Sequence, residues 1–429
     1  MKRSTWRRLG ALAVLPILSS AALTACGSDD DGGSSSDSKT ITFAYQIANP
    51  DAKSVFATLA EEYEKTHKGV TIKTNPIALN SYGSTITTQL QAGNGPDVFF
   101  VNAGGGQAGS VGTLGEAGKL LDLTDEVAEG AVPENAVASM SYDDKLVAVP
   151  VYLAPSGIIY SPMAAEKSGF TIDSSSTMED IIDQCKTVAD GGQAVFGLAG
   201  SMAPNTAIFA SEIAASTVYG PEPDWNEQKA AGDTSFADSD GWHAALQTMK
   251  DLYDSGCFQE GAAGAGFDAL TNGAGQGLIL GFAAPGGAAK DIMDSTGGAV
   301  TLTVQAMPAP DGYDTYLMAG TPDAIAGNAD GKNKDLSLDF INWMSQPEQT
   351  KTAAEAAGDI PVGTTDSSTL LPQYADVGGL IDENKTAQYP YIDWPNGEVY
   401  NALGTGVTGI LTGQMSVDDV LESMDKAWG

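Results

Sequence analysis

The chain has 429 residues, of which 55 are acidic and 21 basic, for a formal net charge of −34. An acidic excess of that size excludes nucleic acid as a partner, since its phosphates are met by basic side chains. Arginine is confined to Arg3, Arg7 and Arg8, so a site elsewhere lacks the planar fork that grips carboxylate or phosphate, and an anionic ligand is disfavoured.

Lys2, Arg3, Arg7 and Arg8 precede an apolar run from Leu9 to Leu18, which reads as an export signal too short to span a membrane. The signal ends in Leu23-Thr24-Ala25-Cys26, which resembles the lipobox of bacterial lipoproteins. That resemblance implies a signal peptide over 1–25, a lipid on Cys26 and anchoring to the outer face of the cytoplasmic membrane. Residues 26–38, rich in Gly, Ser and Asp, have nothing to bury and read as a disordered tether. The remaining body exceeds what one hydrophobic core usually serves, which predicts two lobes.

Along the body, strands and helices alternate. Thr40 to Gln46 is strand-like, and Val55, Phe56, Leu59, Ala60 and Tyr63 share a helical face. A helix through Thr85 to Gln91 is stopped by Gly93, Gly95 and Pro96, and Val98 to Val101 reads as a strand buried on both faces. The loop after it, Asn102 to Gly106, has almost no side chains. Ligands in open α/β sheets bind beyond the carboxyl ends of strands, so this loop is a candidate site wall. Leu146 to Val149 and Ile158 to Tyr160 are further short strands. Thr177, with Asp180 three residues on, starts a helix that turns Met178, Ile181, Cys185 and Val188 inward. Asp240 opens a helix carrying Trp242, Leu246 and Met249, and Cys257 lies just past its end. Cys185 and Cys257 are the only cysteines after Cys26, and outside the cell they are predicted to form a disulfide. Leu278 to Phe282 and Val300 to Ala306 read as strands, and Ser416 caps a last helix that buries Val420, Leu421, Met424 and Trp428. Such alternation predicts an α/β fold.

Chemical motifs are sparse. Neither HExxH nor GxSxG occurs, and His67 and His243 are the only imidazoles. The GAGFDA run at Gly264 is not set between a strand and a helix as a dinucleotide loop would be. No enzyme activity, metal or cofactor is expected.

Six stretches occur in a family order: FATLAEEYEK at Phe56 with GVTI at Gly69, GPDVF at Gly95, GKLLDL at Gly118, DKLVAVP at Asp144, FINWMSQPEQT at Phe340 with IPV at Ile360, and GILTGQMSVDDVL at Gly409. With them the chain resembles the extracellular solute-binding proteins of ABC importers, in the carbohydrate group that includes the maltose-binding proteins. The resemblance implies a two-lobed periplasmic-binding-protein-like α/β fold with two or three hinge crossings. It places these near Pro150 to Ala154, near Ala299 to Thr303 and after Gly358, with lobe 1 over 39–152 and 304–358 and lobe 2 over 153–303 and 359–429. It also implies a monomer that captures a mono- or oligosaccharide in the cleft and delivers it to the transmembrane subunits of an ABC permease.

A sugar needs aromatic rings for its apolar faces and polar side chains for its hydroxyls. By the family match the contacts are Tyr45, Gln46 and Asn49 after the first strand, then Asn80, Ser81 and Tyr82, and then Asn102. Tyr152 and Ser156 follow the first crossing. Met202, Asn205 and Phe282 belong to the second lobe, and Trp394, Asn396 and Tyr400 lie near the end. Trp394, flanked by Asp393, Pro395 and Asn396, reads as a solvent-facing ring, and Trp225 as a surface residue. The competing readings are a receptor for a polyamine or other cationic solute, a tethered glycoside hydrolase using two carboxylates, and an adhesin.

Overall fold

A computed structural model describes residues 39–47 and 54–429, except for the side chain of residue 80. The export signal, Cys26, the tether and Asn49 therefore lie outside the described residues. In chain order the strands are β1 (Thr40–Ile47), β2 (Thr71–Ala78), β3 (Val98–Asn102), β4 (Ser141–Tyr142), β5 (Lys145–Leu146), β6 (Val149–Pro150) and β7 (Ala154–Tyr160). They continue with β8 (Ala194–Gly197), β9 (Ile279–Pro285), β10 (Thr303–Gln305), β11 (Leu317–Gly320), β12 (Asp323–Gly327) and β13 (Thr386–Ala387).

The first lobe is built on a five-stranded sheet in the order β2-β1-β3-β12-β6. β1 runs parallel to both β2 and β3, while β12 runs antiparallel to β3 and β6. Phe99 and Phe100 of β3 are buried, as the VFFV run requires of a strand covered on both faces. On one face, Phe43 and Phe100 pack their rings against Phe56 of the helix Val55–Thr66, and Phe43 also meets Phe340 of the helix Lys334–Met344.

The second lobe holds a sheet in the order β13-β11-β7-β9-β8, with β10 also paired to β7. Its helices include Met178–Asp190, which starts at the capping box of Thr177 with Asp180, and Val417–Trp428, which starts at that of Ser416 with Asp419. Cys185 and Cys257 are joined by a disulfide across a separation of 72 residues.

The chain passes between the lobes three times. The first passage, Val151 to Leu153, joins β6 to β7. The return was expected near Ala299 to Thr303 but falls at Thr321 and Pro322, because β10 and β11 both pair with β7 and so belong to the second sheet. A buried strand such as Val300 to Ala306 does not announce its neighbour, and pairing alone decided it. The third passage is pinned where Leu153 and Ile360 exchange backbone hydrogen bonds of 2.8 and 2.9 Å.

Candidate functional site

In β1 successive side chains face opposite sides of the sheet. Phe43 and Tyr45 point into the aromatic core, which leaves Gln46, at the carboxyl end, to point the other way. Its Nε2 donates to Oδ1 of Asp323 at 2.7 Å. Asp323 opens β12 and pairs in register with Asn102, the last residue of β3. From the first passage Tyr152 donates its hydroxyl to Oδ2 of Asp323 at 2.5 Å. One carboxylate thus ties together two strand ends and a hinge segment.

Above this floor lies a cavity of about 380 Å³, lined by Gln46, Tyr82, Asn102 and Asp323 from the first lobe and by Tyr391 and Ile392 from the second. Tyr82 sits on the helix Leu79–Gln91 with its hydroxyl 2.8 Å from the Phe100 carbonyl oxygen. Tyr391 belongs to a group of rings, its centroid 4.5 Å from Tyr400 and 5.6 Å from Tyr389. The bare loop after β3 closes one side. Gly104, at φ 68°, occupies a backbone conformation that favours glycine, and the Gly105 amide donates to the Ile392 carbonyl oxygen at 2.8 Å.

The electrostatics are set by burial. Asp323 is raised above the usual carboxylate range by desolvation, which its bonds from Tyr152 and Gln46 partly offset. Asp359, on the third passage, is pushed up to about 8 by burial and then by the charge of Asp323. Glu212, buried in the helix Ala203–Ala214, is likewise pushed up to about 8 by desolvation, against a hydrogen bond from Ser156 Oγ to its Oε1 at 2.7 Å. These two groups hold protons in the folded protein that the unfolded chain releases at ordinary carboxylate pH. Their stabilising contribution is complete below the unfolded value and is lost as pH rises toward about 8. Glu212→Gln should therefore flatten the fall in melting temperature between mildly acidic pH and pH 8, as calorimetry across that range would register. An unchanged pH profile would refute the assignment for Glu212.

Several expected contacts are placed elsewhere. Tyr45 is a core ring, and Phe282 packs with Ile159, Val304 and Tyr374 in the core of the second sheet. Ser156 is buried beneath the cleft on Glu212. Trp394 is 1% exposed rather than solvent-facing, with its Nε1 donating to Asn226 Oδ1 at 3.2 Å, and Trp225 is buried against Phe236 and Trp242. Asn396 caps the helix Gly397–Leu411 and donates to the Ala427 carbonyl. Asn205 Oδ1 accepts from the Ala199 amide at 2.7 Å, Ser81 donates to the Ala78 carbonyl, and Met202 is exposed, none of them lining the cavity. Tyr400 does not line the cavity; its ring packs on Tyr391 and its hydroxyl donates to the Pro204 carbonyl oxygen at 3.1 Å. Asp323 and Tyr391 were not foreseen. Neither carries a local signal, because both depend on which segments the fold brings to β3.

The sequence pattern of a family described as bacterial extracellular solute-binding protein matches residues 48–351. The chain belongs to that family. Its members are receptors that act outside the cytoplasm. No curated protein matches the sequence. Among solved structures, a chitin oligosaccharide binding protein superposes with a TM-score of 0.74 at 17% identity, over 91% of this chain and 98% of its own. A protein from the thermophilic bacterium Caldanaerobius polysaccharolyticus, solved in work on xylan utilization, gives 0.73 at 19% identity over 90% and 99%. The GacH receptor of Streptomyces glaucescens, solved unliganded and with acarbose, gives 0.69 at 19% over 91% and 97%. At such identities these likenesses establish that this solute-binding chain shares their fold.

Proposed function

We propose that this protein is a carbohydrate receptor that takes a mono- or oligosaccharide between its lobes and delivers it to an ABC permease, held at the membrane by a lipid on Cys26. The observation that carries the reading is the cavity between the lobes. It sets the ring of Tyr391 opposite the hydrogen-bonding groups of Gln46, Asn102 and Asp323, in a chain without arginine beyond Arg8. Rings serve the apolar faces of a sugar, and amide and carboxyl groups serve its hydroxyls. The fold shared with a chitin oligosaccharide binding protein and an acarbose receptor supports the same choice.

A thermal-shift panel of sugars tests the proposal, because a ligand at 100 times its dissociation constant stabilises by about 2.7 kcal/mol. Tyr391→Ala should leave the protein folded and weaken the sugar that scores by roughly tenfold or more, about 1.4 kcal/mol. If no sugar shifts the melting temperature, the reading fails.

A further inference from the structure

Besides the cleft cavity, the lobes border a second one of about 450 Å³, larger than the first and sharing none of its lining residues. The passages between the lobes run between the two. On the first, Tyr152 reaches Asp323 while its neighbour Leu153 lines the second cavity. On the next, Pro322 lines the cleft and Thr321 the second cavity. Val362, just past the third passage, lines it as well, with Asn135 from the first lobe and Ile381, Asn384 and Gln388 from the second.

Leu153, Val362 and Ile381 give this surface its apolar area, and its polar side chains, Glu134 aside, are hydroxyls and amides. No aromatic, lysine, arginine or histidine lines it among the described residues, and Glu134 is exposed. Some of the polar groups are unmet. Thr321 is 3% exposed, and its hydroxyl has no hydrogen-bond partner among the described residues. Gln388 accepts from the Tyr389 amide through Oε1 at 3.3 Å, which leaves its Nε2 donor over. A buried polar group without a partner costs stability, and valine would take the place of Thr321 without that cost. The cavity lies within the range of small-molecule sites, about 300–1,000 Å³. An anion would find no counter-charge here and a flat ring no stacking face, whereas hydroxyls match threonine and amide groups as donor and acceptor alike.

We propose that this cavity is a second binding site, for a small uncharged polyhydroxy compound, and that it acts on the cleft through the passages. The site goes beyond the carbohydrate reading and does not depend on it. Both lobes supply its walls, so rotation about the passages alters their spacing, and an occupant binds the open and closed forms unequally. Linkage then requires the occupant and the cleft solute to change each other's affinity by the same factor.

Isothermal titration at millimolar concentration with glycerol, sorbitol, glucose, myo-inositol and gluconate tests this. At least one neutral compound should bind saturably, and gluconate, which carries an unmatched carboxylate, should bind about tenfold more weakly or worse. Acyclic compounds in the lead identify a polyol site, cyclic ones a sugar site. Thr321→Val and Asn384→Gly should each weaken the best compound by roughly threefold or more, the worth of one hydrogen bond. Glycine accepts the left-handed backbone at residue 384, φ 55°, so that variant keeps its fold. Tyr391→Ala, which acts on the cleft, should leave this binding unchanged. The compound should also shift the affinity of the sugar found for the cleft by about fivefold or more, and an unshifted affinity overturns the coupling. Binding that Tyr391→Ala removes and the other two variants spare overturns the second site and puts the compound in the cleft. Silence from every neutral compound, or tighter binding of gluconate, overturns it too, and neither result touches the carbohydrate reading.

Discussion

Alanine at Gly104 should separate the loop after β3 from the second lobe, whereas alanine at Gly105 should be tolerated. At Gly104 a β-carbon would overlap the Ile392 carbonyl oxygen, and the backbone sits at φ 68°. The left-handed conformation costs a non-glycine residue about 1–2 kcal/mol, and forcing an atom into a filled space adds about 1–3 kcal/mol. At Gly105 the nearest neighbour of an added β-carbon is the Trp394 carbonyl oxygen at 3.4 Å, with no positive φ to resist it. Gly104→Ala should thus lower stability by about 2–5 kcal/mol in chemical denaturation, raise the radius of gyration in small-angle scattering and weaken solute binding. If Gly105→Ala does equal damage, the bare loop is not the contact described.

The second large effect falls on Trp394. Its ring lies 5.7 Å from Phe236, 6.1 Å from Trp242 and 6.4 Å from Tyr400, and its indole nitrogen donates to Asn226, which also accepts from Tyr219. Trp394→Ala should therefore destabilise by about 3–5 kcal/mol, the usual cost of emptying a buried tryptophan site. Because this residue anchors the segment that carries Tyr391, affinity should fall too, as a consequence of the packing loss. Trp394→Phe, which retains most of the ring contact, should recover most of both. A Trp394→Ala protein with unchanged denaturation midpoint and weakened binding would restore the solvent-facing reading.

Much of the architecture was legible because local signals agreed with one another. The Thr177–Asp180 and Ser416–Asp419 boxes start the helices they promised, and the inward face read for Cys185 is the one that meets Cys257. The strand Val98 to Val101 is buried as its apolar run requires, and residues of the side-chain-free loop behind it line one side of the cavity. The site itself was less legible, for physical reasons. Asp323 is one of 55 acidic residues, and only the pairing of β12 beside β3 sets it opposite Asn102. Trp394 was misjudged from its polar flanks, but after the turn Pro390–Asp393 the chain directs that ring inward to Trp242. Tyr45 shows the reverse error, in which a tyrosine at a strand end reads as functional while the pleat turns it into the core.

The order of strands in the first sheet bears on how the protein is made. β12, wedged between β3 and β6, is drawn from Asp323–Gly327, long after β1, β2 and β3 have left the ribosome. Until it arrives, β3 exposes a row of unpaired backbone groups, the kind of edge that recruits other chains. A product terminated before Asp323 should accordingly aggregate instead of surviving as a soluble amino-terminal half.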